Sequence, residues 1–139
     1  MEYRRFDNII IVRFDKGDEI VESVKELSLK ENIRLAGISA LGATDDFVAG
    51  VYSVPEQKYY KNEFKGVYEI TNITGTINTM DGEFYSHLHI TCADQSGACF
   101  GGHLNSARVS ATCEMVITVI EGNVDRFHDD ATGLNLFKF

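Results

Sequence analysis

Phe84–Glu114, FYSHLHITCADQSGACFGGHLNSARVSATCE, is the stretch that decides how this chain folds. His87 and His89 are separated by one residue in a run with Tyr85, Leu88, Ile90 and Thr91. That composition favours strand, and side chains two apart on a strand share a face. Gln95-Ser96-Gly97 reads as a three-residue hairpin loop, a type I turn with Gly97 as the left-handed residue, which pairs Asp94 with Ala98. Continued from there, the register sets His89 opposite His103, with His87 one step along on the same face. Leu88, Ile90 and Cys92 fall opposite Leu104, Gly102 and Phe100 on the other face. A slip of one residue would scramble both faces.

The preceding segment agrees with this register. Val67–Met80 reads as a long strand ending at Asp81-Gly82, a strong two-residue hairpin signal. If Met80 pairs with Glu83, Thr76 lies opposite His87, Thr74 opposite His89 and Asn72 opposite Thr91. Gly75 and Ile73 then meet Leu88 and Ile90. Three neighbouring strands therefore share one apolar face and one polar face, and the polar face carries three of the four histidines.

Outside this unit, Phe6–Phe14 reads as a buried strand, and Asp15-Lys16-Gly17-Asp18 as a turn leading to a helix cap. Ile20, Val21, Val24, Leu27 and Ile33 mark the apolar side of the one long helix, with acids early and lysines late, as the helix dipole favours. Residues 33–53, with glycines at 37, 42 and 50, predict two strands that bend or bulge. Tyr59, Tyr60 and Phe64 read as cover for a core edge. Thr112–Ile120 and Leu134–Phe139 are further strands, and Arg126–Asp130 a polar loop in which His128 sits at the surface. The class is α/β (α+β): a mostly antiparallel sheet with one main helix packed on it.

The 139 residues, 44% of them hydrophobic, suit a single domain spanning 1–139. No apolar run reaches the ~20 residues of a membrane helix, and charges follow the first residue too soon for a secretory signal, which points to the cytoplasm. Cys92, Cys99 and Cys113 lack Cys-x-x-Cys spacing and read as reduced core residues. Thirteen basic residues face 21 acids, for a net charge of −8. Affinity for bare duplex rests on neutralising phosphates, so DNA is not favoured as a partner, although a local basic patch can form on an acidic protein.

Three imidazoles at one spot either hold a divalent metal or serve as hydrogen-bonded polar residues. Convergence along and across strands favours the metal, with zinc first, because neutral imidazole is a borderline ligand and three of them leave a fourth position open.

His87-Leu88-His89, the turn to Gly97 and Gly101-Gly102-His103-Leu104, followed by Ser110-Ala111-Thr112-Cys113-Glu114, resemble the plant and prokaryote conserved (PPC) domain family. So do Ile38–Gly42, Tyr68-Glu69-Ile70 through Thr74-Gly75, and Arg126–Gly133. The resemblance implies a mostly antiparallel sheet with a packed helix, assembled as a homotrimer. It also brings a DNA-binding label, which the plant members carry because they join the domain to an AT-hook. No Arg-Gly-Arg-Pro-like segment occurs in this chain. The family fold in turn resembles acetolactate decarboxylase, whose zinc is held by a His-x-His pair and a third histidine, and that likeness implies His87, His89 and His103 as ligands. The decarboxylase also uses a carboxylate and an arginine, which no motif matches here. Glu69 and Glu114 are candidate acid/base groups, since metal-assisted chemistry needs a proton carrier near the bound water. Two function classes follow: a trimeric binding or regulatory module, and a small lyase or hydrolase acting on a small anionic substrate.

Overall fold

Both hairpins close where their turn residues require. In the computed structural model, which describes residues 1–139, Asp81 and Gly82 take φ of 54° and 81°, and Met80 pairs with Glu83. Asp94 N–H donates to the Ala98 carbonyl at 2.9 Å, and Gly97 has φ of 83°. The elements in chain order are β1 (Glu2–Phe6), β2 (Ile9–Asp15), α1 (Ile20–Lys30), β3 (Ala36–Ser53), β4 (Lys58–Met80), β5 (Glu83–Ala93), β6 (Cys99–Val119), β7 (Asp125–Asp129) and β8 (Leu134–Lys138). Every strand pairing is antiparallel.

The main sheet runs β1-β2-β6-β3-β4-β5, and β6 also pairs with β5, so β3, β4, β5 and β6 close on themselves. Closure leaves β5 no free edge for aggregation. It works because β6 is long enough to change partners. Its first residues pair with β5, from His103, opposite Gly50, it runs along β3, and from Thr112 it has β2 on its other side. The β5–β6 pairing therefore starts at His89 opposite His103. Leu88 and Leu104 are not strand partners, yet both are buried.

The core lies between the sheet and α1, where Ile20, Val24 and Leu27 meet Ile10, Val12, Phe14, Met115 and Ile117. Each such side chain contributes about 1.5–3 kcal/mol on full burial. The helix cap is Glu19, whose carboxylate accepts from Glu22 N–H at 2.7 Å, while Asp18 accepts from Asp15 N–H in the preceding turn. Ile33 lies past the helix end but still enters the core.

Other expectations change as well, the separate strand at Thr112–Ile120 being the last part of the continuous β6. Phe6–Phe14 is a hairpin, turned at Asp7-Asn8 with Asp7 at φ 50°, a conformation a short polar side chain tolerates. Residues 36–53 form one strand, because bulges near Leu41 and Asp45 bend it without breaking the ladder. Arg126–Asp130 is largely strand, paired with β8 as a separate two-stranded sheet. No helix is long and apolar enough to cross a membrane.

Candidate metal centre

Strand alternation brings the three histidines to one place. Thr74 faces His89, Thr76 faces His87, and His89 faces His103. The Nε2 atoms of His87 and His89 are 3.3 Å apart, and each of the three rings offers a nitrogen within 4.8 Å of the others. Two ligands on a tetrahedral ion at about 2.1 Å stand about 3.4 Å apart, so the closest pair already has ligand spacing. Burial, then the neighbouring His103, Arg126 and His89, push the His87 pKa down to about 4. Burial and His89 also lower that of His103. Both rings therefore keep free lone pairs at neutral pH, the form that ligates metal. The donor set fits a divalent transition metal.

These rings lie on the floor of a cavity of about 980 Å³. Its sides are built by Tyr59 and Tyr85, and by Arg126, Asn135, Leu136 and Phe137 of the C-terminal hairpin. The Tyr59 hydroxyl donates to Asn105 Oδ1 at 2.5 Å and lies 3.3 Å from the His103 carbonyl oxygen, which ties β6 to β4 beneath its histidine. Arg126, which reads in the sequence as part of a polar loop, is buried. Its Nε donates to Asn78 Oδ1 at 3.1 Å, its Nη1 to the Asn135 carbonyl at 2.6 Å, and the Tyr85 and Phe137 rings lie 4.7 and 4.4 Å from its guanidinium carbon. The only sequence signal for this is Thr132-Gly133 between two short runs that can pair.

The remaining candidates lie elsewhere. Glu69 is exposed on β4 opposite Ala93, and Glu114 is exposed on β6 opposite Arg13 and beside a smaller depression; neither lines the cavity. His128 is exposed, with Nδ1 3.1 Å from Asn135 Oδ1. Phe64 stacks on buried Phe47 at 4.5 Å, as core cover should, while Tyr60 stays at the surface. Cys92 and Cys113 are buried thiols pushed up to about 12 by burial, but Cys99 is exposed at the start of β6, contrary to its expected core position.

Fold and site together define a class: a small antiparallel α+β domain with a three-histidine cluster at the closure of its sheet. Residues 1–121 match the Plants and Prokaryotes Conserved (PCC) domain, and the chain belongs to that family. It is similar to a proposed DNA-binding protein from Bacteroides thetaiotaomicron, with 28% identity over 99% of this chain and 96% of that one and a TM-score of 0.96. It is also similar to a metal-containing protein from Archaeoglobus fulgidus, with 30% identity over 99% and 97% and a TM-score of 0.87. α-Acetolactate decarboxylase from Bacillus subtilis shares the fold alone, at 15% identity over 88% and 57% and a TM-score of 0.58. No curated protein matches the chain in sequence.

Proposed function

We propose that this chain is a homotrimeric metal-binding PCC-domain protein of binding or regulatory role. In this reading His87, His89 and His103 hold one divalent ion, zinc, at the base of a cavity that receives a small anionic molecule. The observation that carries it is the convergence of three imidazole nitrogens within 4.8 Å on that cavity floor. A bound ion would supply Lewis acidity and lower the pKa of a coordinated water. The chain's own residues do the rest: neutral imidazoles present lone pairs, and Thr74 and Thr76 stand beside them to orient a ligand or water.

A metalloenzyme, a lyase or hydrolase acting on a small anionic substrate, is the second reading. Cavity size favours it, because about 980 Å³ is ample for a small molecule. No carboxylate lines the cavity, so within one chain proton transfer falls to the Tyr52, Tyr59 or Tyr85 hydroxyl or to water, and Glu69 and Glu114 are assigned no step. The trimer draws support from the sheet face opposite α1, where Ile9, Ile11, Leu41 and Val116 are exposed in neighbouring positions. DNA is left out of the proposal. Acids outnumber bases by 21 to 13, and five of those bases, Arg5, Arg13, Lys61, Lys65 and Arg108, are already paired with carboxylates, so phosphate meets a net negative surface.

The test is metal analysis of protein purified without chelator or nickel resin and then given zinc. One ion per chain is expected, lost in His103→Ala and kept in His128→Ala. A wild-type protein that retained no stoichiometric metal, or a His103→Ala protein that bound it equally well, would overturn the site.

A further inference from the structure

Arg126 is a cation with only 5% of its surface exposed, and it has no carboxylate within salt-bridge reach. Removing a charge from water without a counter-ion is costly, so such a group calls for a partner that the chain itself does not supply. Two of its nitrogens are engaged, Nε by the Asn78 side chain and Nη1 by the Asn135 carbonyl. Nη2 makes no hydrogen bond to the protein. Since no polar side-chain atom in the chain is both fully buried and unpartnered, Nη2 keeps open surface, and Arg126 lines the histidine cavity. The Tyr85 and Phe137 rings fix the guanidinium plane. Tyr85 precedes His87 by two residues on one face of β5, about 7 Å along the strand, so the guanidinium held against the Tyr85 ring stands on the same side of the cavity as the imidazole row.

We propose that Arg126 is the anion anchor of this cavity, its Nη2 edge taking the carboxylate of a small organic acid whose remaining polar atoms face His87, His89 and His103. Arg126 is the only lysine or arginine lining the cavity, and its surroundings are largely aromatic and aliphatic. A single fixed guanidinium among such walls suits a monoanionic carboxylate better than a phosphate dianion, which needs more donors. The inference deepens the metal-site reading, and rests on it only for the direction in which the far end of the ligand points.

The experiment titrates ¹⁵N-labelled protein, metal-free and zinc-loaded, with lactate, its uncharged analogue lactamide, and inorganic phosphate, following the arginine Nε–H signals and measuring affinity by calorimetry. Lactate should bind the metal-free protein and move one arginine signal, lactamide should not, and zinc should tighten lactate binding. Arg126→Met removes the anchor but risks the fold, so Asn78→Asp is the decisive variant. It places an isosteric carboxylate against the Arg126 Nε, gives up the Asn78 Nδ2 bond to the Thr79 carbonyl, and should weaken lactate by about tenfold or more, with a thermal melt of the variant checking that the fold is kept. Equal affinity for lactate in wild type and Asn78→Asp overturns the anchor, as does tighter binding of phosphate than of lactate, or no lactate binding by the metal-free protein up to about 10 mM. Lactate binding that responds to Asn78→Asp but ignores zinc keeps the anchor and rejects the metal reading. Binding that needs zinc and ignores Asn78→Asp does the reverse.

Discussion

Gly75→Ala should damage the metal site without touching a ligand. Gly75 lies on β4 opposite Leu88, between the residues that face His87 and His89. A Cβ at this position would meet the His87 carbonyl oxygen at 2.0 Å and Leu88 Cα at 2.8 Å, both backbone atoms of β5. Ordinary contact begins at 3.4 Å, so β5 must retreat by about 1.4 Å at the residue that carries a histidine. Overpacking of this kind costs about 1–3 kcal/mol. Metal geometry is stricter, since ligand distances hold within about 0.2 Å, and the shift should cost about 100-fold in zinc affinity. Urea unfolding of the metal-free protein measures the first quantity, and zinc competition against a chromogenic chelator the second. Gly37→Ala is the control: a Cβ there meets nothing within 4 Å, and both quantities should stay near wild type. The close-approach argument is refuted if Gly75→Ala matches wild type within about 0.5 kcal/mol in stability and about threefold in affinity.

Three further outcomes are expected. Light scattering at micromolar concentration should give three times the 15.5 kDa chain mass, and Val116→Lys, in the exposed apolar row, should lower it; a wild-type mass near 15.5 kDa sinks the trimer. Duplex DNA should bind weakly and release with salt, so submicromolar, sequence-dependent binding at about 0.15 M salt would contradict this account. The metal-free protein should lose stability as pH falls. His87 titrates near 4 when folded, against 6.5 ordinarily, so between those values the unfolded chain binds more protons; its contribution is fully present above 6.5 and declines towards 4. His87→Gln should flatten that part of the pH–stability curve, and an unchanged slope would count against the assignment.

The histidine floor was legible because local turn chemistry sets strand register. Asp81-Gly82 and Gly97 demand particular turns, and once those are placed, period-two alternation carries His87, His89 and His103 to one face with no tertiary information. The wall was not legible. Arg126 stands among Asp125, Asp129 and Asp130, a composition that reads as solvated, and its burial depends on Asn78, Tyr85 and Phe137, which are distant in sequence or lie across a turn. The turn at Asp7-Asn8 was hidden for another reason: flanking apolar residues continue the strand pattern through it, and only the left-handed Asp7 reverses the chain. Bends near Leu41 and Asp45 resembled strand ends because glycine and small residues mark both, whereas a ladder that shifts register by one residue can run on.

The C-terminal hairpin forms its own two-stranded sheet, and the family match ends at residue 121, before that hairpin begins. The floor thus lies in the main sheet, and the hairpin supplies one side of the wall, facing Tyr59 and Tyr85 of that sheet. Substitutions at Leu134, Leu136 or Phe137 can reshape the opening and change which molecules enter, while the ladder that spaces the imidazoles is left untouched. A chain built this way could change the shape of its cavity through a handful of terminal substitutions without moving the three histidines. Redesign for a new guest would start at these positions, and grafting the last fifteen or so residues from a relative would exchange the hairpin side of the wall while Tyr59 and Tyr85 stay in place.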